Sequence, residues 1–241
     1  MLDALNAGKH VFVEKPLALK REELGDITSA YEVASKNETP LVMVGFNRRF
    51  SAHVKKIKQL LTGVSEPKSF IMTVNAGAIP ADHWTQDKAV GGGRIIGEGC
   101  HFIDLLRFVA GAEIVSVQAV RMGEGVTIRD DKVTITLGFA DGSFGTVHYL
   151  ANGSKSFPKE RLEVFCADRV LQLDNFRKLT GFGWPGFKKF KTSKQDKGQS
   201  ACAAAFVDAI ESGGESPIPF SELIEVANAT FDVVDILEGQ G

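Results

Sequence analysis

The sequence predicts an α/β chain: the strand–helix–strand tail of a doubly wound parallel sheet, followed by a large, mostly antiparallel open sheet with helices packed on one face. Three observations carry this expectation. Residues 9–14 and 40–45 are short apolar runs with a helical pattern between them, the spacing of a parallel βαβ unit. Between residues 69 and 174, strand-like stretches succeed one another across polar turns, which favours antiparallel pairing. Two helical patterns, over 201–212 and 221–237, close the chain. The division falls after Phe46, giving segments 1–46 and 47–241.

In chain order, residues 1–8 read as the last turns of a helix ended by Gly8, because glycine supplies a left-handed C-terminal cap. Residues 9–14, Lys-His-Val-Phe-Val-Glu, suit a buried parallel strand, and Pro16 stops it because proline cannot donate to a ladder. A helix over 20–36 and a second buried strand over 40–45 complete the βαβ unit, whose crossover is expected to be right-handed. The usual pyrophosphate cradle, a Gly-x-Gly-x-x-Gly turn between a strand and a helix, is not expected anywhere in the chain, because the one run of that spacing, Gly181-Phe182-Gly183-Trp184-Pro185-Gly186, falls in a stretch that reads as a loop. Residues 54–61 predict a short amphipathic helix with Lys55, Lys56 and Lys58 on its solvated face. Strands are expected at 69–75, 114–121, 132–139, 143–150, 161–166 and 170–174, with Asp141-Gly142 as a hairpin turn. Alternation in 134–137 and 145–149 leaves one sheet face mixed in polarity, suited to resting on another subunit, and places His148 there. Residues 178–197 read as a loop with a short strand at its end, and Ser221 as the N-cap of the last helix.

The chemistry is concentrated in the run Gly91-Gly92-Gly93-Arg94-Ile95-Ile96-Gly97-Glu98-Gly99-Cys100-His101-Phe102-Ile103-Asp104, a glycine-rich loop leading into an amphipathic helix. At 3.6 residues per turn, Gly97, Glu98, His101 and Asp104 fall on one face. Three glycines let the backbone adopt positive φ and approach a ligand closely. A histidine between a helix N-terminus, which disfavours imidazolium, and carboxylates, which favour it, is placed to exchange a proton near neutrality. A packing role for the glycines and an interior role for His101 fit the same pattern.

Bulk composition narrows the function classes. With 28 basic and 30 acidic residues and no basic block, nucleic acid is not an expected partner. No apolar run reaches the roughly 20 residues needed to span a bilayer, and the amino terminus lacks a signal-peptide pattern. Cys100, Cys166 and Cys202 are dispersed, without Cys-x-x-Cys spacing, which suits reduced thiols and a cytoplasmic location. Cys100 beside His101 suggests a thiol nucleophile only weakly, since adjacent helical residues point about 100° apart. His83 has no second histidine or cysteine at ligand spacing, so no metal is expected.

Residues 7–18, Ala-Gly-Lys-His-Val-Phe-Val-Glu-Lys-Pro-Leu-Ala, resemble the Glu-Lys-Pro segment of the Gfo/Idh/MocA oxidoreductases, the glucose-fructose oxidoreductase and inositol dehydrogenase family. The triple-glycine run through His101-x-x-Asp104 resembles that family's second signature, in the expected order, and the wording Arg94 to Glu98 resembles the Gfo/Idh/MocA half of two-part bacterial oxidoreductases. The resemblance implies NAD or NADP as cofactor, a sugar, polyol or nucleotide-sugar as substrate, and a homo-oligomer assembled through the open sheet. It implies that residues 1–46 are the end of a Rossmann domain whose main part is truncated, so that this chain is expected to bind NAD(P) weakly or not at all.

Carried over by position, Lys15 is the lysine at nicotinamide and substrate, and His101 takes the hydroxyl proton as hydride leaves the same carbon. An ammonium at a strand's carboxyl end can stabilise a developing alkoxide, and Pro16 holds Lys15 extended, with either a trans or a cis bond. One position departs from the pattern: Gly97 stands where many members carry an aspartate four residues before the histidine. Glu98 and Asp104 are then the candidate carboxylates, Asp104 as the group that orients His101 or as a salt-bridge partner. Glu14, Lys15, Pro16 and Asn47 are the candidate cofactor contacts; Arg48, Arg49, Trp84, Arg94 and Glu98 are the candidate substrate contacts, with one arginine free to grip an anionic group. A rival expectation is a non-catalytic binding or assembly module that keeps the fold without the cofactor.

Overall fold

The computed structural model describes residues 1–36 and 39–239. Helix α1 (Leu2–Asn6) ends just ahead of Gly8, which takes φ +65°. Strands β1 (Val11–Val13) and β2 (Val42–Val44) pair in parallel, Val11 opposite Val42 and Val13 opposite Val44, with α2 (Arg21–Ala34) between them in sequence. β2 is buried throughout. β1 departs from the expected fully buried strand, because Phe12 meets the Phe206 ring edge-on at 5.6 Å and leaves 38% of its surface open. The Lys15–Pro16 peptide bond is cis.

Helix α3 (Ala52–Leu61) is opened by Ser51, whose hydroxyl accepts the Val54 N–H at 3.2 Å. Lys55 is exposed as expected, but Lys58 is not a solvated charge. Its ammonium donates to Phe108 O at 2.8 Å and Val109 O at 3.4 Å, satisfying carbonyls left open at the carboxyl end of α4 (Cys100–Ala110).

The large sheet holds β3 (Ser69–Asn75), β4 (Ile114–Arg121), β5 (Lys132–Phe139), β6 (Phe144–Leu150), β7 (Glu160–Cys166), β8 (Arg169–Asp174), β9 (Lys178–Phe182) and β10 (Lys189–Lys191). Their spatial order is β10-β9-β8-β7-β3-β6-β5-β4. All pairs are antiparallel except β3 with β6, so the first strand in sequence sits centrally between β6 and β7. Period-two alternation sends Phe70, Met72, Val74, Val133, Ile135, Leu137, Val147, Tyr149, Leu162 and Val164 to one buried face. That face is covered by α4 and by α6 (Phe220–Glu238), while α5 (Gln199–Ser212) packs near residues 47–50. The opposite face is open and mixed: His148 lies between Thr73 and Thr134 in register, with Thr134 Oγ1 3.1 Å from its Nδ1.

Two local expectations are corrected. Residues 178–197 form a hairpin, β9 with β10, instead of a loop with one strand. Gly181, Gly183, Pro185 and Gly186 interrupt the alternation that announces a strand, yet Gly181 is required there, since a Cβ would lie 2.7 Å from the Phe187 ring. Helix α6 starts one residue earlier than expected, with Pro219 in the N-cap position and no side-chain cap from Ser221. Among the described residues no helix is long and apolar enough to cross a membrane.

Candidate active site

Glu14-Lys15-Pro16 leaves the carboxyl end of β1, the edge where open α/β sheets gather ligands, and lines a cleft of about 490 Å³ together with Trp84, Arg94, Gly97 and Glu98. The glycine run builds the facing wall. A Cβ at Gly91 would lie 2.7 Å from the backbone of Trp84 and Thr85, so its absence lets that segment close on the loop. Trp84 opens a short 3-10 turn there and leaves 61% of its surface exposed at the cleft.

Gly92 and Gly93 take φ +71° and +76°, then the chain enters a π-turn, Ile95–Gly99, before α4 begins. Such turns recur at functional sites, and this one displaces Gly97 and Glu98 from the single α-helical face that the spacing suggests. The Lys15 ammonium donates to the Gly97 carbonyl. Gly97 thus meets the lysine with its backbone, and a Cβ at this position would lie 2.9 Å from Gly91 O. Gly97→Ala is therefore expected to destabilise the fold by about 1–3 kcal/mol through overpacking, measured as a lower midpoint in urea.

Glu98 is the hub of a polar cluster. It accepts from Lys159 Nζ at 2.6 Å, from the Tyr149 hydroxyl at 2.6 Å and from Arg94 Nη2 at 2.9 Å. Burial works to raise its pKa, but Lys159, Tyr149 and Arg94 outweigh burial and hold it at about 2, so the carboxylate is ionised.

His101 lies one turn beyond Gly97, is 6% exposed and does not line the cleft. Its ring meets Phe46 at 5.9 Å, and Nδ1 has no hydrogen-bond partner. Burial, then the charges of Arg48 and Lys15, push its pKa well below the ordinary value; Glu98 pulls weakly the other way. The imidazole is neutral at pH 7. His53, fully buried against Phe190, is likewise lowered by burial. Because both bind a proton more readily when unfolded, stability is highest above the unfolded histidine pKa of about 6.5 and falls as pH drops below it. A loss of stability as pH falls from about 6.5 toward 5 is therefore expected in denaturant titrations, and His53→Gln should make that loss shallower.

The remaining candidates are drawn into the fold. After β2 the chain turns inward through a 3-10 turn, Asn47–Phe50, all four residues of which are buried. Asn47 Nδ2 donates to Lys197 O at 2.8 Å. Arg48 grips Glu160 with two bonds, at 2.8 and 3.0 Å, and Lys197 Nζ reaches the same carboxylate at 2.5 Å. Arg49 pairs with Asp104 and, at 3.0 Å, with Glu222. Neither arginine is free to grip a substrate, and Asp104 faces Arg49 instead of orienting His101. Lys159, Glu160 and Lys197 were not legible as partners of these groups, because no local spacing links residues 98 and 159 or 48 and 160.

Cys100 is fully buried, its thiol pushed up to about 12 chiefly by burial, which agrees with packing and not with a nucleophile. No group of three or more His, Cys, Asp or Glu residues placed to hold a metal occurs among the described residues.

Residues 58–172 match the model of the GFO/IDH/MocA C-terminal domain. Among curated relatives, the myo-inositol 2-dehydrogenase of Thermotoga maritima is 27% identical over 183 residues, 72% of this chain and 52% of that protein. The inositol 2-dehydrogenase of Rhizobium meliloti is 26% identical over 87% of this chain and 65% of that protein. The chain spans about half the length of the first of these relatives. In three dimensions, levoglucosan dehydrogenase in complex with NADH and levoglucosan aligns with a TM-score of 0.82 at 24% identity, over 100% of this chain and 74% of that one. The UDP-N-acetylglucosamine 3-dehydrogenase of Acidithiobacillus ferrooxidans aligns at 0.77 and 22% identity, over 98% and 73%. Residues 58–172 thus carry the GFO/IDH/MocA C-terminal domain, and with its two signature segments and mixed open sheet the chain as a whole resembles the Gfo/Idh/MocA oxidoreductases.

Proposed function

We propose that residues 47–241 are the substrate-binding and assembly part of an NAD(P)-dependent oxidoreductase, and residues 1–46 the end of its dinucleotide-binding domain. The reaction is oxidation of a sugar, polyol or nucleotide-sugar hydroxyl, or reduction of the matching carbonyl. The observation that carries this reading is the Lys15 ammonium at the end of β1, bonded across to Gly97 and bearing on His101.

The residues present fit one end of a nicotinamide dinucleotide. Glu14, Lys15 and Pro16 border a cleft at a parallel strand's carboxyl end, with Trp84 as an apolar wall. The one Gly-x-Gly-x-x-Gly run in the 241 residues, 181–186, lies in the β9–β10 hairpin and opens no helix, so the pyrophosphate end has no cradle beside this cleft and weak NAD(P) binding by this chain is expected. When bound, the nicotinamide supplies the hydride acceptor. Lys15 donates to the reacting oxygen and stabilises its developing negative charge. His101, held neutral by burial, takes the hydroxyl proton at a ring nitrogen. Glu98, held ionised, accepts hydrogen bonds from further substrate hydroxyls.

The test joins residues 1–241 to a dinucleotide-binding half in one polypeptide and follows NADH formation with myo-inositol, levoglucosan and UDP-N-acetylglucosamine. Turnover with one of them is expected. No turnover with any, alongside a folded protein, would favour the non-catalytic module, the reading supported by Gly97 and by the covered position of His101.

Assembly through the open sheet is part of the same proposal. Phe144, Phe165 and Phe182 lie along one cross-strand row of that face through Ser69 and Val170, and are 52%, 40% and 53% exposed. Such a row favours burial against a second copy. Sedimentation equilibrium is expected to give a dimer or larger; a monomer at micromolar concentration contradicts it.

A further inference from the structure

A second cleft, of about 380 Å³, lies beside the first and shares Gly93 and Arg94 with it. Its walls carry Gln86, Lys88, Arg94, Arg121, Arg129 and Asp130. Three buried nitrogen donors on three separate segments, Gln86 Nε2, Arg94 Nη1 and Arg121 Nε, have no hydrogen-bond partner, and all three residues line this cleft. Arg94 is more than nine-tenths buried. Leaving a polar donor unsatisfied in a protein interior is costly, so three residues with an unsatisfied donor in the wall of one hollow favour an acceptor there.

The charge balance agrees. Arg121 Nη1 bonds Asp130 at 2.8 Å, Lys88 reaches Asp130 at 3.9 Å and Glu238 at 2.8 Å, and Arg94 bonds Glu98 at 2.9 Å. Arg129 donates through Nε to the Met122 carbonyl at 3.0 Å and contributes a charge that no carboxylate in this group balances. Four cations thus face three carboxylates.

We propose that this second cleft binds a phosphoryl group. Arginines brought to one cleft from three segments, Arg94, Arg121 and Arg129, suit a tetrahedral anion with several acceptor oxygens better than a planar carboxylate, and arginine forks match phosphate geometry. The group arrives either as inorganic phosphate or as an ester on a sugar whose ring occupies the neighbouring cleft past Gly93 and Arg94. The second source rests on the oxidoreductase reading; the anion site itself does not.

The experiment is isothermal titration of residues 1–241 with inorganic phosphate, with myo-inositol 1-phosphate and with uncharged myo-inositol as the control. Saturable binding of at least one phosphate probe is expected, together with loss of affinity on adding salt. Arg121→Met is expected to weaken it about tenfold to a hundredfold, the effect of removing one charged hydrogen-bond donor. Gln86→Leu, which removes an uncharged donor from a half-buried residue, carries the same test at smaller amplitude if Arg121→Met fails to fold. An ester that binds at least tenfold more tightly than inorganic phosphate identifies the substrate as the source; equal affinity identifies a free-phosphate site. Absence of saturable binding of both phosphates at millimolar concentration, or affinity unchanged in the folded variants, would overturn the proposal. Because the readout is binding and not NADH formation, that failure leaves the oxidoreductase reading standing.

Discussion

Asp104→Ala is expected to destabilise the fold by about 3–5 kcal/mol, the effect of stranding one member of a buried ion pair. The side chains of Asp104 and Arg49 are 1% and 3% exposed. Arg49 also bonds Glu222, and Arg107 of α4 bonds Glu225 of α6 at 2.7 Å, so one ionic cluster ties the turn after β2 to both helices. Burial pushes the Asp104 pKa up to about 6 although Arg49 is beside it. Arg49→Met should cost a similar amount by leaving the carboxylate unpaired. The double variant Arg49→Met, Asp104→Leu should cost far less than the two losses together, because an apolar pair needs no charge compensation. Urea unfolding checks all three; single losses below about 1 kcal/mol would show that water reaches the pair.

The second large effect is on turnover. In the polypeptide that joins residues 1–241 to a dinucleotide-binding half, Lys15→Met and His101→Gln are each expected to lower kcat by about 100-fold or more with KM changed much less. The reason is that both groups act on charge and protons that develop only in the transition state. His101→Gln preserves polarity and approximate volume, so a folded variant with normal turnover would remove the histidine from the mechanism. Lys15→Met removes the ammonium that bonds Gly97 and keeps the apolar stem, which separates charge from packing.

The two large-scale features were legible for simple reasons. Alternation with period two is strong in β3, β5, β6 and β7, and the structure gives β3, β4 and β5 the expected limits. The apolar runs around Val11–Val13 and Val42–Val44 likewise announce the small parallel sheet. Strand order was not legible, since nothing local says that Ser69–Asn75 inserts between β6 and β7. In the site, residues contributed by one continuous stretch were readable: Glu14, Lys15 and Pro16 on one wall, Arg94 and Glu98 on the other. What failed was partner assignment. Arg48, Arg49 and Asp104 carry the chemistry of substrate contacts, but their carboxylate and guanidinium partners are 112 and 55 residues away in sequence and satisfy them within the fold. The π-turn was also hidden, because its residues have the composition of an ordinary helix start; it moves Glu98 toward Tyr149 and Lys159 and out of line with His101.

The most direct measurement is the coupling between Lys15→Met and His101→Gln in kcat/KM for NADH formation, taken from the two single variants and the double. Groups serving one reacting carbon are expected to be strongly non-additive, the double variant losing little more than the worse single one. Losses that multiply, or a double variant as active as the unaltered protein, would contradict the assignment of both groups to a single centre.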